Sequence, residues 1–291
     1  MLQADIPLKR LSKNRLSVST LSSQFWCEKA VELSLTHKIP ETEEMARGRT
    51  RHQELHEETA ELIQVKVVSI ADSIGLGLHN MLVGLIRVKE KAQTRELPVF
   101  GWLPKLNIPL FGHIDELLVE DNRTKVIDHK TRKSDRMPTR AQTRVTEFQL
   151  MTYYVLLKTI QSESFDFRKI LECYDLDSNS TFTDEFLDEL GPNEKPLEKN
   201  LLKLTTLINE AARIIPELSK DLEIIYENQQ TKKLIGKHSF QFDAESWKRD
   251  IEFATQYWLG ERPAMLVGER NRWKCNFCTF KSESICPIWT E

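Results

Sequence analysis

The stretch "KVIDHKTR", Lys125–Arg132, decides the fold. Val126 and Ile127 are β-branched residues of the kind that fill a strand, and they follow the turn-forming "EDNRT". An acid, a histidine and a lysine come directly after them. Charged side chains rarely stand in a buried strand unless they are paired or hold a metal ion. Asp128 and Lys130, at i and i+2, share one strand face. Upstream, "LFGHIDELLVE" reads as a second strand, and Asp121 with Asn122 joins the two as an antiparallel hairpin that can bring Asp115 alongside.

Two carboxylates and an ammonium on one sheet face make a divalent-metal site with its own water-positioning group. Mg²⁺ is usually held by one or two carboxylates plus substrate phosphates. The ion supplies a nucleophile at neutral pH and neutralises charge on a phosphate. Lys130 is then free to orient the attacking water or stabilise the developing charge.

Two flanking helices extend the constellation. "GRTRH" sets Gly48 and His52 on one helix face, where the small residue allows close approach and the imidazole offers a metal ligand. "QLMTY" sets Gln149 and Tyr153 at i and i+4 downstream, an amide and a phenol suited to a nucleotide. "HQELH" also spaces His52 and His56 as zinc proteases space theirs. Gln53 stands where those enzymes need a glutamate general base, which excludes them.

The chain has 291 residues and a net charge of −3, so no global basic field points to a nucleic acid. From Asp121 to Arg144, however, eight Lys or Arg stand against three Asp, a local patch able to bind phosphates. No apolar run approaches the roughly 20 residues that span a bilayer. The basic, serine-rich start resembles a transit peptide. Asp5 interrupts it, and it runs straight into "QFWCEKAVEL", which reads as a domain helix and leaves little room for a cleavable leader. Nucleus, cytoplasm and mitochondrion all stay open as locations inside the cell.

Along the chain, residues 16–36 and "ETEEMARGRTRHQELHEETAELIQ" read as helices, and "VKVVSI" and "LPVFGWL" as strands. "TRVTEFQLMTYYVLLKTI" is an amphipathic helix, and residues 174–200 read as loop or insertion. A helix near 198–215, strands around 222–226 and 233–242, and a helix from Asp243 to before Pro263 complete one α/β domain with helical arms.

Three of the five cysteines lie in "WKCNFCTFKSESICPIW" as Cys275, Cys278 and Cys286. Clustering without a secretory signal favours metal over disulfides. A fourth thiolate comes from Cys27 or Cys173, and four suit either zinc or an iron–sulfur cluster.

The order Gly48…His52, Asp115, Asp128-x-Lys130, Gln149…Tyr153 resembles the RecB-like branch of the PD-(D/E)XK nucleases. With one early cysteine in "WCE" and three late ones, the chain resembles the exonuclease V family over nearly its full length, least over residues 160–240. The resemblance implies a PD-(D/E)XK core, a mixed sheet flanked by helices. In that reading 41–160 form the catalytic part, and the arms 16–36 and 264–291 are stapled by a metal cluster. It implies a monomeric, Mg²⁺-dependent (or Mn²⁺-dependent) exonuclease on single-stranded DNA in DNA repair, with a single-strand-binding protein as candidate partner. Asp115, Asp128 and Lys130 become catalytic, with His52 a further ion ligand. Gln149, Tyr153, Arg132, Lys133, Arg136, Arg140 and Arg144 contact DNA, and Cys27, Cys275, Cys278 and Cys286 hold a [4Fe–4S] cluster. Many relatives carry Glu where Asp128 stands. Two rivals share the scaffold: an inactive single-stranded-DNA-binding protein, and the same nuclease with structural zinc.

Overall fold

Asp121 and Asn122 both take left-handed backbone (φ 48° and 57°), the paired conformation of a type I′ turn. They fold β3 (Ile108–Glu120) onto β4 (Arg123–Arg132) in the antiparallel register Glu116↔Ile127 to Glu120↔Arg123. The computed structural model describes residues 6–10, 15–38, 41–60, 65–103, 105–162, 165–177, 179–190 and 200–287.

Among these, six strands form one sheet. β2 (Gln93–Leu103) runs antiparallel along one edge of β3, and the short β1 (Leu16–Ser17) pairs with β3 at Leu110 and Phe111. β4 continues in parallel to β5 (Asp221–Asn228), which turns back into β6 (Leu234–Gln241). A parallel neighbour needs a crossover, and α4 (Arg140–Gln161) and α7 (Leu201–Ile214) lie within it, with α5 (Arg168–Cys173) and α6 (Asp184–Glu189) between them. α1 (Val18–Ser34) packs on α4, α2 (Glu43–Glu57) lies against β2 and β4, and α3 (Ile70–Lys91) covers β2. α8 (Ala244–Trp258) packs on α4, and α9 (Thr279–Ser282) belongs to the C-terminal arm. The core is therefore a mixed sheet between helical layers. No helix of the described residues is long and apolar enough to cross a membrane.

One expectation for the middle of the chain fails. "VKVVSI" is not a strand: Val65–Val68 carry no regular structure, and Ser69 caps α3. Ser69 Oγ accepts from Asp72 N (3.0 Å), and Asp72 Oδ2 accepts from Ser69 N (2.9 Å), a capping box that starts a helix just where the β-branched run ends. Behind it Ile74, Leu78, Met81, Leu85 and Val88 bury one helical stripe, and a Cβ on Gly84 would lie 2.4 Å from Leu97 Cδ1, so the helix sits hard on β2. The stretch 174–200, expected as loop or insertion, carries a short helix of its own. α6 lies inside it and inserts a fully buried Phe186, because Phe182 and Phe186 supply core that α3 lacks on its glycine face. Residues 191–199 of that stretch, and 61–64 at the end of the second expected helix, lie outside the described residues.

Candidate active site and cysteine cavity

The hairpin register carries three acids into one row. Extending Glu116↔Ile127 by one position sets Asp115 opposite Asp128. On the other edge of β3, Arg95↔Glu116 and Leu97↔Ile114 bracket Glu96 opposite Asp115. The ladders break at these positions. Glu96 takes a left-handed backbone (φ 50°), costly for a residue with a long side chain, and Asp115 Oδ2 accepts from His129 N (2.7 Å). Like charges opposite one another across strands repel, so a row of carboxylates on β2, β3 and β4 calls for a cation.

Cations and donors do converge there. Lys130 Nζ donates to Asp128 Oδ1 at 2.9 Å and lies 2.8 Å from Oδ2, which accepts no well-directed hydrogen bond. His52, held over the sheet by α2, meets Glu96 Oε1 through Nδ1 (2.8 Å) and His129 O through Nε2 (3.1 Å). Its Nδ1 lies 3.8 Å from Asp115 Oδ1. Arg51, one residue earlier, pins α2 to β5 through Glu227 (Nε–Oε2 2.9 Å). Gly48 is not what lets the helix in, since a Cβ there would meet Thr131 Oγ1 at an ordinary 3.6 Å.

The electrostatics follow. Asp128 is fully buried and Asp115 is 9% exposed. Burial, with Asp128 adding repulsion, pushes Asp115 up to about 7. The Glu96 hydrogen bond, outweighing burial, pushes His52 up to about 9. Burial opposes the Lys130 ammonium, but Asp128 and Asp115 outweigh it and hold its pKa well above the usual lysine range.

His52, Glu96 and Asp115 offer ligand atoms within 4.8 Å of one another, with Asp128 and Lys130 adjoining. A donor set of carboxylate oxygens with one imidazole suits a hard divalent ion such as Mg²⁺ or Mn²⁺. Asp128, fully buried and facing the Lys130 ammonium through both oxygens, adds a further carboxylate beside that set. Glu96 is not legible from the sequence alone, because "LPVFGWL" reads as a strand that begins one residue after it. Pairing "RELPVF" against "GHIDEL" would have set it opposite Asp115.

Gln149 is half-buried and donates to Tyr153 OH (3.3 Å). Tyr153 is only 2% exposed and its ring lies against Gly112 of β3. Arg132 is half-buried, and Arg136 and Arg140 are exposed. Lys133 pairs with Glu44, and Arg144 with Asp250 (2.8 Å).

The second site lies between the arms. Cys27 sits in extended backbone (φ −164°, ψ 111°) that breaks α1 in two. It lines one cavity of about 410 Å³ with Cys275, Cys278 and Cys286, while Cys173 lies apart on α5. No three of these sulfurs approach within 4.8 Å of one another. Burial, reinforced by Cys278 and Cys275, raises the Cys27 thiol. Lys274 is 7% exposed, donates to Trp26 O (3.2 Å) and Phe25 O (3.4 Å) and lies over the Trp26 ring. No carboxylate hydrogen-bonds this buried ammonium among the described residues, so the cavity lacks a negative charge that thiolates would supply. The arms are also tied without the cysteines. Glu28, buried beside Cys27, accepts from Arg262 at 2.5 and 2.6 Å and from Met265 N at 3.0 Å. Phe280 is buried in the cavity wall, whereas Phe277 is 77% exposed.

Comparison with known proteins agrees with the sequence resemblance. The family model described as "Exonuclease V - a 5' deoxyribonuclease" matches residues 7–126, 120–205 and 192–286. "Exonuclease V" of Danio rerio is 27% identical over 292 residues, covering 96% of this chain and 72% of that protein. The solved structure described as "Crystal structure of SSO0001" aligns over 99% of this chain and 96% of its own at 13% identity. Its TM-score is 0.40, too slight a likeness to carry an argument.

Proposed function

The chain belongs to the exonuclease V family, and from that premise we propose a divalent-metal-dependent exonuclease that degrades single-stranded DNA from the 5′ end. The observation that carries this reading is the row Glu96, Asp115 and Asp128 across three strands, with His52 above it and Lys130 beside it.

In this reading Asp115, Asp128, Glu96 and His52 would hold Mg²⁺ or Mn²⁺, which would neutralise phosphate charge and lower the pKa of water so that hydroxide is available at neutral pH. Asp128 fixes the Lys130 ammonium, which stays protonated and so donates throughout. It orients the attacking water and stabilises charge as the phosphodiester bond breaks. Gln149, with its amide at the half-open face of α4, contacts the strand. Tyr153 packs against β3 and positions Gln149. Arg132, Arg136 and Arg140 carry the backbone, and the exposed Phe277 offers a stacking face.

Cys27, Cys275, Cys278 and Cys286 hold a structural [4Fe–4S] cluster. A single zinc needs its four sulfurs about 3.8 Å apart, from Zn–S bonds of about 2.3 Å in a tetrahedron. The wide cavity and spread sulfurs support a cluster instead. The role is in DNA maintenance, the protein acts as a monomer, and a single-strand-binding protein is a fitting partner on the same substrate.

Labelled single strands blocked at either end, incubated with Mg²⁺ and then with EDTA, test the activity, the polarity and the metal together. Shortening from a free 5′ end, stopped by EDTA and by a 5′ block, is the expected result. Binding without any Mg²⁺-dependent cutting would favour the inactive DNA-binding protein.

A further inference from the structure

His56, the second histidine of "HQELH", has no part in the ion site, yet it lies on the same face of α2 as His52, one turn (~5.4 Å) further along. On β3, His113 precedes Asp115 by two residues, about 6.6 Å along the same strand face. His56 and His113 thus repeat the pair His52 and Asp115 one step away, and that step is of the order of one nucleotide in an extended strand. Together with Arg87 of α3 they line a cleft of about 430 Å³ whose wall also includes His52 and Glu96.

The chemistry of the cleft is one-sided. Arg87 lines it with the histidines and the amides of Gln53 and Asn80, Arg49 and Arg95 reach it while paired with Glu41 and Glu116, and Glu96 is the sole carboxylate among its described lining residues. His56, His113 and Glu96 do not bring ligand atoms within 4.8 Å of one another, so they form no ready-made chelate. The space is suited to a tetrahedral anion that several N–H donors approach from different walls. Imidazole in either protonation state offers such a donor, and Arg87 supplies charge.

We propose that this cleft is a subsite for the backbone phosphate next to the scissile one, contacted by His56, His113 and Arg87. This rests on the nuclease reading and deepens it, because a seated neighbouring phosphate sets which bond lies over the ion site.

The test uses the full-length protein and fluorescein-labelled single strands carrying one neutral methylphosphonate linkage, moved stepwise along the oligonucleotide. Binding is read by anisotropy in EDTA, and cleavage in Mg²⁺. At one linkage position the wild type should lose about tenfold in affinity. Arg87→Gln and His113→Gln, on different elements and checked for folding by circular dichroism, should bind the all-phosphate strand about tenfold more weakly and ignore that position. Variants that bind normally, or stay as sensitive as the wild type, overturn the subsite. Cutting in Mg²⁺ without this coupling sinks the subsite alone. Coupling without cutting sinks the nuclease reading and leaves the cleft as a phosphate site.

Discussion

At the scale of single residues, the site is a set of charges that make sense only together. Asp115→Asn or Lys130→Ala should abolish cleavage while strand binding survives. Retained cutting in both, from contaminant-free protein, would defeat the assignment. Glu96→Gln should weaken Mn²⁺ binding by about 10- to 100-fold, whether Glu96 touches the ion or only orients His52. Proton competition gives a sharper test. An ion needs His52 neutral and Asp115 ionised. Before it binds, His52 loses its proton near pH 9 and Asp115 near pH 7. Affinity should therefore fall about tenfold per pH unit between roughly 9 and 7 as one proton is displaced, and more steeply below that as a second joins it. Titration calorimetry in buffers of differing ionisation heat counts those protons. Affinity constant from pH 6 to 8 would remove both residues from the ligand set.

At the scale of elements, strand pairing and helix seating place the charges. The β3–β4 hairpin was legible because Asp121 and Asn122 are turn residues between two alternating runs, and the structure joins the strands there. α4 was legible from its amphipathic pattern, and the C-terminal strands form at Asp221–Asn228 and Leu234–Gln241, near their expected ranges. α3 was not legible, because its β-branched entry "VKVVSI" resembles a strand until the Ser69–Asp72 box is weighed against it. Gly112 shows how tightly the elements close. A Cβ there would lie 2.6 Å from Tyr153 Cε1 and 2.8 Å from its hydroxyl, so Gly112→Ala should push α4 off β3. Overpacking of this kind costs about 1–3 kcal/mol, read as a lowered denaturation midpoint, and cleavage should fall with it as Gln149 shifts. An unchanged midpoint would show that Tyr153 has room to swing aside.

At the scale of the whole molecule, the two arms close on each other through Glu28, Arg262 and the cysteine cavity. Anaerobically purified protein should be brown, with iron and sulfide in equal amounts. Cys278→Ser should lose both and Cys173→Ser neither, whereas colourless protein holding zinc would support the zinc-stapled alternative. In the cluster reading, Lys274→Met should lower the reduction potential and speed iron loss to a chelator, since it removes the one buried cation seen beside the thiols among the described residues. The residues alone carried type and order: the two aspartates and lysine of the hairpin, the helical His52 and the three late cysteines, with Cys27 added as the fourth by the family resemblance. Their chemistry is local and is written in identity and spacing. Packing alone placed Glu96 in the acid row, turned Tyr153 inward and set His56 and His113 on the wall of one cleft. Those relations join residues of different elements, and they depend on strand register and helix placement, which are set by packing across the entire core.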